Sequence, residues 1–193
     1  TTKDSIITTI IPGNLFIVDN FLSAEECDNI IRIAEEAGFK DATVNVGIGK
    51  GIIDKDYRNS KRCMIDDHNA AALVLERLKN LLPKFNEGGV LSTINERFRI
   101  LKYVDNNKFE THCDGLFPRT INDYKERSVF TIHFYLNEGS DGGATIFYHD
   151  LFKGKEFRCE PKKGRLAIFR QYGFYHCGEM VKSGTKYTMR TDI

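Results

Sequence analysis

The segment RFRILKYVDNNKFETHCD, residues 97–114, sets the pattern for the second half of the chain. It holds two short runs rich in Ile, Phe, Tyr and Thr, the composition and length of β-strands. Six further runs of this kind follow, and glycine-containing breaks such as EGSDGG and PKKG separate several of them. The six runs occupy residues 127–137, 144–150, 156–161, 164–169, 174–178 and 185–193.

The beginning of the chain predicts one strand and one helix. The apolar run NLFIVDNF, residues 14–21, is typical of a strand. Ser23 followed by Glu26 forms a capping-box signal at the start of an amphipathic segment. Gly38 stands where a helix C-cap belongs, so a helix is expected between these signals.

A second helix is predicted over residues 69–82, where leucines including Leu73 and Leu78 form an apolar stripe that Pro83 ends. Between the two helices, residues 47–62 are rich in glycine and charge, and a long mobile loop is predicted there.

Eight short strands after two helices predict a mostly β fold with flanking helices, built on a double-stranded β-helix or jelly-roll core. A length of 193 residues with 41% hydrophobic residues favours one domain over residues 1–193. Within it, we expect residues 1–95 to supply helical support and a substrate loop, and residues 96–193 to form the jelly-roll core.

Charge and composition narrow the class of partner. The 28 Lys and Arg residues nearly balance the 27 Asp and Glu residues, so we expect neither nucleic acid nor a membrane surface as partner. We see neither a run long enough to span a membrane nor a signal peptide, and we expect a soluble, intracellular, cytoplasmic protein. The five scattered cysteines are interpreted as reduced thiols. The oligomeric state is left open.

The motif HCD places His112 and Asp114 two positions apart. Side chains alternate across a strand, so both face the same side and one strand supplies two metal ligands. One such pair is a weak signal, and His176, in the later strand pattern FYHCG, is the best third ligand. Two histidines and one carboxylate suit the facial triad of a non-heme Fe(II) oxygenase or a zinc site.

Four segments of the chain together resemble the 2-oxoglutarate and Fe(II)-dependent dioxygenase domain of the prolyl 4-hydroxylase type. They are RFRILKYVDNNKFETHCDG, ERSVFTIHFYLNEGSDGGATIF, KKGRLAIF and YHCGEMVKSGTKY. The resemblance implies that His112, Asp114 and His176 hold Fe(II), and that 2-oxoglutarate and O2 are co-substrates. Ascorbate is a further candidate cofactor. An aspartate at position 114 favours hydroxylation over halogenation.

The resemblance also implies a 2-oxoglutarate site. Lys186 occupies the position of the cation that binds the far carboxylate, Tyr103 matches a tyrosine that hydrogen-bonds it, and Thr131 matches a pocket hydroxyl. Arg190 is a competitor for the cation, because it lies four residues from Lys186 on one strand and faces the same side. Among the remaining histidines, interpreted as structural, His133 is the one that shares a strand face with Thr131.

The substrate is less determined. Arg127 matches an arginine that contacts peptide substrate in algal-type prolyl hydroxylases, and YRNSKR, residues 57–62, resembles part of their substrate-covering loop. Phe109 stands where those enzymes have a tyrosine, which weakens the case for prolyl hydroxylation. The first candidate is therefore a protein side chain, most plausibly prolyl. The alternatives are a hydroxylase of a free amino acid or small metabolite, and a catalytically silent jelly-roll binding module.

Overall fold

A computed structural model of the protein describes residues 5–45, 51–79, 81, 92–121 and 123–193. The described residues form two α-helices, α1 (Ala24–Ala37) and α2 (His68–Lys79), and a 3-10 helix at Asp150–Phe152. The strands are, in chain order, β1 (Ile6–Ile11), β2 (Leu15–Asp19), β3 (Lys40–Asp41), β4 (Val44–Asn45), β5 (Gly51–Ile52), β6 (Lys61–Asp66), β7 (Arg97–Tyr103), β8 (Phe109–His112), β9 (Pro118–Ile121), β10 (Tyr124–Arg127), β11 (Phe130–Tyr135), β12 (Asp141–Gly142), β13 (Thr145–Tyr148), β14 (Glu156–Cys159), β15 (Leu166–Arg170), β16 (Tyr175–Gly178), β17 (Val181–Ser183) and β18 (Lys186–Asp192).

Two antiparallel sheets make up the body of the fold. The large sheet has the strand order β1-β2-β15-β11-β18-β7-β6-β3, and the second sheet has the order β14-β13-β16-β8. Every strand run predicted in the second half of the chain lies in one of these sheets. The mostly β prediction is therefore confirmed.

The large sheet also extends into the first part of the chain, where the sequence predicted only β2 as a strand. Four of its members, β1, β2, β3 and β6, come from the first 95 residues, so the sheet extends beyond the segment expected to form the core. Lys61 and Arg62 begin β6, and placing them in a loop was wrong. In β6 charged residues surround Cys63 and Ile65, so its apolar content is too low to identify it as a strand. Residues 46–50 of the predicted mobile loop lie outside the described residues.

The first helix has the predicted ends. The backbone N–H of Ser23 donates to the Glu26 carboxylate at 2.8 Å, and the N–H of Glu26 donates to the Ser23 hydroxyl at 3.1 Å. Gly38, at φ 85°, ends the helix and donates its N–H to the Ala34 carbonyl at 3.0 Å. These bonds satisfy backbone groups that the helix itself leaves without partners.

The second helix starts one residue before the predicted range. The Asp67 carboxylate caps it by accepting the N–H groups of Asn69 and Ala70, both at 2.9 Å. Leu78 is fully buried, but Leu73 is 53% exposed, so including it in the buried stripe was wrong. Pro83 lies outside the described residues. Neither this helix nor the first is long and apolar enough to cross a membrane, nor is any other helix in the described residues.

Strand alternation gives the large sheet two different faces. On β11, Ile132 and Phe134 point to a core shared with the two helices. The alternate residues of the same strand, among them Tyr135, point toward the second sheet. There Tyr135 packs with Phe147 of β13 and Phe169 of β15, so a second core fills one end of the space between the sheets.

Gly164 lies where the β14–β15 connection passes close to the backbone just before α1. It has φ +79°, and an added Cβ would lie 2.3 Å from the Leu22 carbonyl oxygen, which cannot move freely. Gly154 has nearly the same φ, +77°, with nothing within 4 Å of an added Cβ. Gly154→Ala should cost about 1 kcal/mol from backbone strain, while Gly164→Ala should cost about 1–3 kcal/mol more. Urea unfolding of both variants measures the difference, and equal losses would contradict the close approach.

Candidate active site

Two histidines lie opposite each other in the second sheet. His112 at the end of β8 pairs with His176 of β16, and their ring centroids are 4.3 Å apart. Asp114 follows two residues after His112. Its carboxylate oxygens lie 3.7 Å from Nε2 of His112 and 3.8 Å from Nε2 of His176. Ligand atoms of all three residues lie within 4.8 Å of one another, so one ion could bind all three.

Both imidazoles have the neutral form and the tautomer that a metal ligand requires. The Nδ1–H of His112 donates to the Glu110 carbonyl at 2.7 Å, and Nδ1 of His176 lies 3.4 Å from the Phe174 carbonyl. This tautomer leaves Nε2 of each ring with its lone pair free for a metal. Burial lowers the pKa of His112 to about 3 and also lowers the pKa of His176. The donor set fits Fe(II).

The Asp114 carboxylate is buried but remains ionised. Burial alone would raise its pKa, but the Arg190 guanidinium at 2.7 Å and then the two histidines hold the pKa below its usual value of 3.8. The Thr131 hydroxyl donates to its other oxygen at 2.6 Å. The sequence predicted Thr131 as a hydroxyl of the 2-oxoglutarate pocket, whereas the structure places it on the metal-ligating carboxylate.

A cavity of about 340 Å³ opens beside the three ligands. Among the predicted 2-oxoglutarate residues, Tyr103, Lys186 and Arg190 line it, and Thr131 is not part of its lining. His133 also lines it, and its Nε2 is buried without a hydrogen-bond partner in the described part of the chain. The cavity therefore combines polar and charged groups with the candidate metal ligands.

Lys186 is a buried cation without an anion beside it among the residues that the structure describes. It is only 2% exposed, it pairs with Tyr103 across β18 and β7, and its Nζ lies 5.0 Å from the centre of the Tyr103 ring. No carboxylate of the residues that the structure describes forms an ion pair with it. Burial lowers its pKa from 10.5 to about 8. The site thus has a place for the carboxylate of a ligand.

Arg190 already forms two ion pairs. Its guanidinium lies 2.7 Å from Asp114 and 3.1 Å from Asp192. Of the two predicted cations, Lys186 is therefore the one with no carboxylate partner.

The structure does not bring Arg127 to the cavity. Arg127 is exposed at the end of β10, opposite Pro118 of β9. Phe109 does line the cavity, and its ring stacks on His112 with the centroids 3.7 Å apart and the planes 22° apart.

Among the charged residues that line the cavity, Arg99 and Asp192 were not predicted, and Arg58 and Arg62 were predicted only as part of residues 57–62, the segment that resembles a substrate-covering loop. Alternation along β7 and β18 places Arg99 on the face of Tyr103 and Asp192 on the face of Lys186, so this signal was available. Arg62 could not be found in the same way, because its strand was not predicted.

Comparison with known proteins agrees with this geometry. Residues 98–191 match the family model of the 2OG-Fe(II) oxygenase superfamily. The chain carries a prolyl 4-hydroxylase-like 2OG-Fe(II) oxygenase domain. This family match, together with the triad of ligands, confirms Fe(II) and 2-oxoglutarate as the predicted cofactor and co-substrate of the domain.

Relatives in Arabidopsis thaliana are similar over most of this chain. Probable prolyl 4-hydroxylase 8 is 26% identical over 136 residues, which are 68% of this chain and 44% of the relative. Prolyl 4-hydroxylase 1 is 25% identical over 191 residues, 90% of this chain and 66% of the relative. This chain spans about half the length of the curated relatives it matches.

Solved structures share the fold. A prolyl-4-hydroxylase from Pseudomonas putida superposes with a TM-score of 0.69 at 19% identity, covering 93% of this chain and 92% of that chain. A Trichoplax adhaerens prolyl hydroxylase, in complex with a hypoxia inducible factor peptide fragment, superposes with a TM-score of 0.71 at 14% identity, covering 94% and 83%. These similarities confirm the predicted jelly-roll core.

Replacing Lys186 should reveal the cost of its burial. At pH 7 the lysine is protonated in both the folded and the unfolded chain, so the folded state bears the full desolvation penalty of the buried charge. This penalty decreases only as the pH rises above about 8, where the folded state loses the proton. In protein free of 2-oxoglutarate, Lys186→Met should raise the free energy of unfolding at pH 7 by roughly 1 to 3 kcal/mol.

Urea unfolding at pH 7 and above pH 9 measures the effect, which should shrink at the higher pH. Lys102→Met is the matched control. Lys102 donates to Glu35 at 2.8 Å, and this hydrogen bond raises its pKa, so its replacement should not stabilise the fold. A loss of stability in Lys186→Met would contradict the unpaired, buried cation.

Proposed function

We propose that this chain is an Fe(II)- and 2-oxoglutarate-dependent dioxygenase that hydroxylates a substrate. The observation that carries the proposal is the convergence of His112, Asp114 and His176 at a cavity whose buried cation, Lys186, has no anion beside it. A binding module without activity would have no need for a complete ligand set together with an unpaired buried lysine. The silent alternative is therefore disfavoured.

The three ligands would hold the iron and leave the rest of its coordination sphere facing the cavity. When bound, iron and 2-oxoglutarate supply the oxidation of a substrate C–H bond by O2, with one oxygen atom entering the new hydroxyl and the other entering succinate as carbon dioxide leaves. The chain's own part begins with Arg190 and Thr131, which hold the Asp114 carboxylate ionised and oriented.

Lys186 and Tyr103 are the residues we assign to the far carboxylate of 2-oxoglutarate. They face each other across β7 and β18, with Nζ of Lys186 5.0 Å from the centre of the Tyr103 ring, so the ammonium lies beside the phenol ring. Arg190 is the weaker candidate because it already forms ion pairs with Asp114 and Asp192. Its position suits it to orient the metal ligand.

For the substrate, our first candidate is a prolyl residue of a protein or peptide. Its support is the similarity to proteins named as prolyl hydroxylases, one of them solved with a peptide fragment. Arg127 is proposed to contact such a substrate from outside the cavity, since it is exposed on the β9–β10 hairpin. Phe109 offers no hydroxyl, so any hydrogen bond that a phenol there would make to substrate is absent.

A free amino acid or small metabolite is the second candidate. The observation in its favour is the number of cationic side chains that line the cavity, which suit a substrate with its own charge.

The iron assignment can be tested without knowing the substrate. Under anaerobic conditions, Fe(II) and 2-oxoglutarate together should produce a visible charge-transfer absorption band in the wild-type protein. His112→Ala and Asp114→Ala should abolish both the band and succinate production, because each removes a ligand. His68→Ala changes an exposed histidine at the start of α2 and serves as the control. A band that persists in Asp114→Ala would refute the ligand set.

The 2-oxoglutarate anchor can be tested by comparing two cations. Lys186→Ala should raise the concentration of 2-oxoglutarate needed for half-maximal succinate production by about 10- to 100-fold, the range of a lost charge-assisted hydrogen bond. Arg190→Ala should instead weaken Fe(II) binding, because it leaves Asp114 without its counter-ion. Titrations of each variant with 2-oxoglutarate and with Fe(II) separate the two effects. The reverse order would identify Arg190 as the anchor.

A further inference from the structure

The cavity beside the metal ligands has an excess of positive charge. Five cationic side chains line it, together with two carboxylates. The cations are Arg58, Arg62, Arg99, Lys186 and Arg190, and the carboxylates are Asp114 and Asp192. The proposed function accounts for Lys186 through 2-oxoglutarate and for Asp114 through iron. Three arginines and one carboxylate remain without a role, since Arg190 already pairs with Asp114.

Three of the four arginines come from neighbouring strands and share one face of the large sheet. Arg190 of β18 is directly opposite Arg99 of β7. Arg62 of β6 is opposite Leu101, two residues along β7 from Arg99 and therefore on the same face. Like charges placed opposite each other destabilise a sheet. Three such residues facing one cavity are better explained by a ligand than by stability.

Asp192 cannot neutralise this group alone. Its carboxylate accepts hydrogen bonds from Arg99 and Arg190, both at 3.1 Å, and also from Asn95 at 3.2 Å and Gln171 at 3.1 Å. Its acceptor capacity is used within the fold.

Arg58 and Arg62 have hydrogen-bond partners but no carboxylate partner among the described residues. Arg62 donates to the Thr43 hydroxyl at 3.1 Å, but it has no ion pair with any carboxylate in the described ranges. Arg58 is 8% exposed; it donates to the Ser60 hydroxyl at 3.1 Å, lies over the Phe109 ring and is hydrogen-bonded to Tyr103, with no ion pair to a carboxylate of the described residues. The Nε of Arg190 is buried and lacks a hydrogen-bond partner among the residues described. An anionic ligand would supply charged acceptors for these guanidinium donors.

The charges around Arg62 also favour an anionic ligand. Burial lowers its pKa, and the neighbouring charges of Arg58, Arg99 and Arg190 lower it further. All of these influences disfavour the charged guanidinium. An anion bound among these residues would instead favour the charged guanidinium.

This group is separate from the 2-oxoglutarate anchor. Lys186 and Arg190 are four residues apart on β18, a backbone distance of about 13 Å. Lys186 lies opposite Tyr103, whereas Arg190 lies opposite Arg99, so the two cationic positions occupy different parts of one cavity.

We infer that the substrate of this chain carries a carboxylate or phosphate group, which Arg62 binds together with Arg58 and Arg99 while 2-oxoglutarate occupies the Lys186 end. The inference rests on the proposed function and deepens it by naming the charge of the substrate. A neutral internal prolyl segment would leave the arginines unmet. A substrate with a free carboxylate, an acidic neighbouring residue or a phosphate group would satisfy them with bidentate hydrogen bonds.

The test locates small anions near the metal without requiring turnover. Mn(II) replaces Fe(II), and 2-oxoglutarate is kept saturating so that Lys186 is occupied. Acetate, inorganic phosphate and uncharged acetamide are added in turn, and the paramagnetic broadening of the acetate and acetamide methyl protons and of the phosphate ³¹P signal is measured. The proteins compared are the wild type, Arg62→Gln and Arg62→Lys, with Arg32→Gln as control, because Arg32 is exposed on α1 and pairs with Glu36.

We expect broadening of the acetate or phosphate signal, but not of the acetamide signal, in the wild type and in Arg32→Gln. The anion that binds with the higher apparent affinity shows whether the site prefers a carboxylate or a phosphate. Arg62→Gln should weaken the apparent affinity by about tenfold, corresponding to a lost charge-assisted bond, and Arg62→Lys should retain part of it. Equal broadening in Arg62→Gln would show direct binding to Mn(II) and overturn the inference. No broadening in the wild type would overturn it as well.

A failure of the proposed function has a different signature, namely the loss of Mn(II) or 2-oxoglutarate binding in the wild type before any anion is added. In that case the same probes are tested by thermal unfolding of the metal-free protein at constant ionic strength. A stabilisation by acetate or phosphate that Arg62→Gln removes would support the anion site, and its absence would overturn it.

Discussion

The position of His112 opposite His176 is the constraint on which the site depends. Directly opposite residues of an antiparallel pair have Cβ atoms about 5 Å apart, so the register of β8 against β16 brings two imidazoles together from positions 64 residues apart in the chain. Asp114 lies two residues beyond the end of β8, where its carboxylate comes within 4 Å of both rings. A shift of one residue in this pairing would turn one histidine to the other face of the sheet and remove the metal site.

Charge is distributed unevenly around these ligands, and the distribution separates their roles. Asp114 is buried but satisfied, because Arg190 and Thr131 bind its two oxygens. Lys186 is equally buried and has no anion among the described residues. Lys186 and Arg190 nevertheless lie on the same strand and the same face. A buried charge that a fold leaves unpaired lowers stability, which is typical of positions kept for a ligand.

Much of this arrangement could be predicted from local pattern. The short runs rich in β-branched and aromatic residues identified the strands of the second half of the chain, and Ser23 with Glu26 identified the start of α1. The strand β6 was missed because Lys61 and Arg62 made it read as part of a polar loop. Since Arg62 belongs to that strand, its position on the same sheet face as Arg99 could not be predicted either.

Sequence spacing alone determined which residues could be ligands, because the two-residue period of a strand holds wherever the strand is placed in the fold. It established the pairs His112 with Asp114 and Lys186 with Arg190 as neighbours on one face. Only the tertiary structure decided their partners. Thr131 and Arg190 bind Asp114, Lys186 faces Tyr103, and arginines from three strands meet in one cavity, because these contacts depend on strand order and register between distant segments.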